Sequence, residues 1–135
     1  MNNPKLLSGE HSSIRYQVGN AHFEGQTVVE IRGDGSAIAE FVRGRQKLSF
    51  SGRLDRARFD QVRSTLVAND PRKITPSQHR PVPDEARIEL SESVGGENWN
   101  QLFWDADRQE QPALRKIVEL FESVAREISD GKIQF

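Results

Sequence analysis

Between Ile14 and Leu54 apolar residues fall on every second position, and beyond Leu54 they fall on every third or fourth. A period of two sends side chains to alternate faces of a strand, whereas a period near 3.6 lines one face of a helix. The same change recurs between Ala86 and Ile128. A chain that switches period in this way buries its apolar positions when the strands form a sheet and the helices lie across it. The expectation is an α+β domain, with a mostly antiparallel sheet of about five strands and two packed helices. Their order is meander, helix, hairpin, helix.

Local grammar sets the boundaries. Ile14, Tyr16 and Val18 share one face of a first strand, and Gly19-Asn20 turns the chain into a second, Phe23 to Arg32. Gly33-Asp34-Gly35-Ser36 signals a hairpin, because Gly and Asp tolerate the positive φ of a tight turn. Ile38, Glu40 and Val42 then alternate with Ala37, Ala39 and Phe41, and Gly44-Arg45 reverses the chain before Leu48 and Phe50. Asp55 suits a helix N-cap, followed by the stripe Phe59, Val62 and Leu66 with Val67 beside it. Asn69-Asp70-Pro71 ends that helix. A proline-rich connection over 72–84 is long enough to be functional or disordered. Ala86, Ile88 and Leu90 alternate with Arg87, Glu89 and Ser91, and Gly95-Gly96-Glu97-Asn98 turns into a partner strand from Trp99 to Asp105. Pro112 opens the last helix, whose stripe runs from Leu114 through Ile117, Val118, Phe121, Val124 and Ala125 to Ile128, with Gly131 at its end. The domain expectation is a disordered leader over 1–12, one domain over 13–131, and a short tail over 132–135.

Reactive constellations are scarce. The chain has no cysteine, which removes disulfides and thiolate chemistry. His11, His22 and His79 lack metal-ligand spacing, and no serine sits in a Gly-x-Ser-x-Gly elbow. Asp105, Asp107 and Glu110 do not fit a calcium loop: Glu110 stands where the turn needs glycine, and Lys116 where a bidentate glutamate belongs. They read as a solvated loop before the last helix. Gly33-Asp34-Gly35 precedes a strand and so is not a phosphate cradle. The expectation is a non-enzyme without cofactor or metal. The N-terminal residues carry no signal-peptide pattern, and no apolar run approaches the roughly 20 residues that span a bilayer, so a cytoplasmic protein without a membrane role is expected.

Charge points to surfaces. Residues 43–80 hold ten Lys/Arg against three Asp/Glu, whereas residues 81–135 hold six against twelve. A basic stretch raises nucleic acid as a partner, but Phe41, Phe50 and Phe59 fit core positions and leave no aromatics to stack bases. Another protein is the preferred partner, with nucleic acid binding or self-association through an apolar patch as the alternatives. The basic turn Arg43, Arg45 and Lys47 is one candidate contact. Trp99 and Phe103 form another: with Leu102 and Trp104 toward the core, they share the outer face of their strand as an aromatic anchor.

Three stretches carry a family resemblance: His22-Phe23-Glu24-Gly25 after the first strand, Gly52-Arg53-Leu54-Asp55 before the first helix, and Pro112-Ala113-Leu114-Arg115 opening the last. Over roughly residues 14–128 the layout resembles the emfourin-type domains, small bacterial proteins that include inhibitors of thermolysin-like metallopeptidases. Their glycine-rich Gly-Gly-Phe-Ala-Gly element is matched here by Phe23 and Gly25, with His22 and Glu24 in place of small residues. The layout is also similar to small immunity proteins that neutralise bacterial toxins. The resemblance implies a non-catalytic inhibitor of a peptidase or toxin, with His22, Phe23 and Glu24 among its contacts.

Overall fold

The structure, a computed structural model, describes residues 12–20, 25–75, 87–94 and 97–132. Six strands form one sheet: β1 (Ser13–Asn20), β2 (Gly25–Arg32), β3 (Ser36–Arg43), β4 (Gln46–Arg53), β5 (Arg87–Val94) and β6 (Glu97–Trp104). Their spatial order is β4-β3-β2-β1-β5-β6, antiparallel at every pairing. The first strand therefore lies in the interior of the sheet, between β2 and β5. The chain leaves β4 at one edge and returns to pair β5 with β1, and helix α1 (Arg56–Ala68) lies on that path. After β6 come a short helix α2 (Asp105–Glu110) and the long α3 (Pro112–Ser129).

Alternation explains which face is buried. Ile14 and Tyr16, Val29 and Ile31, Ala37 and Ala39, and Ile88 and Leu90 are all buried on one side. Against them α3 sets Leu114, Ile117, Val118, Phe121, Val124 and Ala125. The rings of Tyr16 and Phe121 stack with centroids 5.2 Å apart. Small residues let α3 approach β3 and β4: a Cβ placed on Gly52 would lie 3.1 Å from Cγ2 of Ile128.

The helix ends follow their capping residues. Oδ1 of Asp55 accepts from the backbone N–H of Arg58 at 2.7 Å, and Pro112 occupies the first turn of α3. Asp130 and Gly131 both take positive φ, and the Gly131 N–H returns to the Arg126 carbonyl at 2.8 Å. Helix α1 buries Val62 and Leu66, while Val67 stays half exposed. Arg58 fastens α1 to α3: its Nε–H donates to Glu127 at 3.0 Å and its Nη2 to Ser123 Oγ at 2.8 Å.

Three expectations need correction. Ser12, assigned to a disordered leader, is buried, and its carbonyl accepts from Gly33 N–H at 2.8 Å. The acidic cluster is not a solvated loop. It forms α2, with Asp107 fully buried and its Oδ2 accepting from the Trp104 N–H at 2.8 Å. A carboxylate three residues past a strand end can satisfy a free amide, and that local bond starts a helical turn. The faces of β6 are also reversed. Phe103 lies opposite Ile88 and is buried, whereas Leu102 is 49% exposed. Pairing with β5 sets this parity, because its Ile88 and Leu90 leave no doubt which way they face. Among the described residues no helix is long and apolar enough to cross a membrane.

Candidate binding surface

All the helices pack on one side of the sheet, and cross-strand register maps the other side as rows of neighbours. One row runs Asn100, Ser91, Arg15, Glu30, Ile38, Ser51 across the six strands. The next runs Leu102, Glu89, Gln17, Val28, Glu40, Ser49. A third begins with Trp104 and Arg87, whose guanidinium carbon sits 5.2 Å from the Trp104 ring centroid, and ends with Val42 and Lys47.

This face carries a groove of about 400 Å³ over β1, β5 and β6. Its lining runs from Arg15 and Glu30 across Ser13, Ser91 and Ser93 to Asn98 and Asn100, and it also includes Glu92 and Trp99. The wet face of β5 is visible in the sequence as Arg87, Glu89 and Ser91. That this face adjoins Ser13 and Arg15 is not visible there, because the β1–β5 pairing joins residues far apart in the chain.

The basic turn forms the tip of the β3–β4 hairpin. Gly44 takes φ +60° and Arg45 does not have a positive φ, which is the type II′ arrangement with glycine first. From Arg43 to Ser49 seven consecutive residues are exposed. The side chains of Arg43, Arg45 and Lys47 make no ion pair or hydrogen bond within the described residues. The other cations of the basic stretch are partly consumed by the fold. Arg53 donates to the Asp34 carbonyl at 3.1 Å, Arg58 holds α3, and Arg72 pairs with Asp70 at 2.7 Å. Asp34 itself closes its turn by accepting from the Ser36 hydroxyl and backbone N–H, bonds that lower its pKa. What the sequence shows as one basic stretch is therefore a concentrated basic tip and a set of structural arginines.

The aromatic pair is placed differently from expectation. Trp99 is half-buried on the helix side, and its indole N–H donates to the buried Glu92 at 2.9 Å. Phe103 is core and offers no exposed anchor. Both sit on β6, the sheet edge opposite to β4, so they do not join Arg43, Arg45 and Lys47. On the open face the aromatic of β6 is Trp104, which the mistaken parity turned inward. His22, Phe23 and Glu24 lie outside the described residues; Gly25, which follows them, pairs with Arg43.

No protein-family model matches this chain, and no curated protein matches it in sequence.

Proposed function

We propose that this chain is a non-catalytic protein-binding domain that inhibits its partner, a peptidase or a toxin, in the cytoplasm. The observation that carries the reading is the β3–β4 tip, where three cations stand in solvent with no side-chain partner among the described residues. A rigid hairpin presents them at little cost in ordering, and charges so placed speed encounter with an acidic surface and select against basic ones. The resemblance of the sequence's layout to emfourin-type and immunity proteins supports the inhibitory role. Nucleic acid would meet the same cations, but Phe41 and Phe50 pack against the core and leave the tip without a ring to stack on bases.

The test uses the protein as bait against lysate and secreted fractions, beside a variant carrying Arg43→Glu, Arg45→Glu and Lys47→Glu. One stoichiometric protein retained by the first and lost by the second is the expected result, followed by inhibition of that protein's activity after purification. Equal retention by both baits removes the tip from the interface. Nucleic acid alone, released along a steep salt gradient, ends the protein-binding reading.

A further inference from the structure

We infer that β4 is a docking edge, and that its occupant is an extended segment of a partner protein, acidic on one face and apolar on the other, that pairs with β4 as a seventh strand. The inference rests on the protein-binding reading above. It adds the geometry of contact and the chemistry of the segment recognised.

β4 ends the sheet, and its eight residues pair only with β3 among the described residues. The two-residue turn makes Arg43 and Gln46 a doubly bonded pair, so doubly bonded pairs recur at Leu48, Phe50 and Gly52. The backbone N–H and C=O groups of Lys47, Ser49 and Ser51 must then point away from the sheet. An edge of this length with free backbone groups is a template for another strand.

The side chains specify which strand fits. On the open face the edge presents Lys47, Ser49, Ser51 and Arg53, with only hydroxyls between the two cations, of which Arg53 also donates to the Asp34 carbonyl. On the helix face it presents Leu48, 42% exposed, beside the partly buried Phe50. One register of a second copy of β4 is disfavoured. In an antiparallel pair centred on Phe50, Lys47 of one copy falls opposite Arg53 of the other, and like charges directly opposed destabilise a pair. A strand alternating acidic and apolar residues meets both requirements. Its carboxylates lie near Lys47 and Arg53, and its apolar residues extend the surface begun by Leu48.

The probe is a blocked peptide of alternating glutamate and valine, about eight residues to match β4, titrated into the isotope-labelled protein and followed by residue-resolved amide spectra and hydrogen exchange. The amides of Lys47, Ser49 and Ser51 should shift and exchange more slowly. A peptide with lysine for glutamate should not bind. Ser49→Pro removes one outward N–H at an edge position where proline is tolerated, and it should weaken binding tenfold or more. Ser49→Ala, which keeps that N–H, should not. A peptide N-methylated at alternate residues makes the same test from the other side, whether or not Ser49→Pro folds.

Undiminished binding of the N-methylated peptide or to Ser49→Pro would overturn edge pairing. So would the same amides slowing with protein concentration alone, which would seat a second copy there, or a single-stranded DNA oligonucleotide shifting Arg43–Lys47 more strongly than the peptide. The two readings fail separately. If charge reversal at the tip abolishes binding of a purified partner while Ser49→Pro leaves it intact, protein binding stands and edge pairing falls.

Discussion

Trp99 donates its indole N–H to the carboxylate of Glu92, directly opposite it in the β5–β6 ladder, at 2.9 Å. Glu92 is 3% exposed, on the helix side of the sheet. A buried carboxylate that loses a donor bears a desolvation cost it cannot recover from water. Trp99→Phe keeps an aromatic ring, a smaller one, but removes the N–H, and should cost about 1–3 kcal/mol. Trp104→Phe, on the open face, should cost less than half as much. Urea unfolding of both variants checks this; equal losses would show that the Glu92 bond adds nothing.

The parity of β6 can be tested by a second pair. Phe103→Ala empties a fully packed site and should cost about 3–5 kcal/mol. Leu102→Ala, one residue away on the open face, should stay within about 0.5 kcal/mol of the parent. The reverse ranking in chemical unfolding would restore the outward orientation of Phe103.

That pair also marks the limit of what the chain alone reveals. In β1 and β5 one parity is apolar and the other polar, so their buried faces are legible from Ile14, Tyr16, Ile88 and Leu90. In β6 both parities carry large apolar residues, Trp99 and Phe103 against Leu102 and Trp104, and alternation has nothing to decide between them. The deciding contacts are nonlocal: Ile88 beneath Phe103, and Arg87 stacked on Trp104. Helices α1 and α3 were readable for the opposite reason, since Asp55, Pro112 and Gly131 act on their own neighbours. The basic tip was legible because a turn brings Arg43, Arg45 and Lys47 together locally. The polar groove was not, because it depends on β1 lying beside β5.

Gly52 faces Ile128 at the crossing of β4 and α3. A methyl group there would sit 3.1 Å from Cγ2 and 3.3 Å from Cβ of Ile128, so the Ile128 side chain would have to give by a few tenths of an ångström. Gly52→Ala should lower stability by about 1–3 kcal/mol through overpacking. Added to Ile128→Ala, the same substitution should cost at least about 0.5 kcal/mol less than it does alone, because the two sites share one contact. A double-mutant cycle with no coupling would remove this contact as the reason for glycine at 52.

Acid should act through Asp70. Partial burial opposes its ionisation, but hydrogen bonds from the side chain and backbone N–H of Arg72, with that residue's charge, hold its pKa below the ordinary value. The bond to Asp70 correspondingly raises the pKa of Arg72. A depressed folded pKa gives stability that is fully present above the unfolded value, about 3.9, and is lost as pH falls through the folded value. Asp70→Asn should therefore cost about 1 kcal/mol at about pH 6, and its deficit should shrink steadily below about pH 4. Urea midpoints across that range measure it; a deficit independent of pH would assign the effect to the shape of the turn.

Arg45 lies between Arg43 and Lys47 and pairs with neither backbone nor carboxylate among the described residues. Three like charges at one tip repel, weakly because water screens them. Arg45→Glu should leave stability unchanged or raise it by a few tenths of a kcal/mol, about what an exposed pair is worth, and added salt should erase the gain. Arg58→Glu makes the same change of charge where the arginine holds Glu127 and Ser123, and should cost about 2 kcal/mol or more. Thermal unfolding at low and high salt separates the two. A loss at Arg45 comparable to that at Arg58 would give the tip a structural task. Its unpaired charge would then cease to speak for a partner.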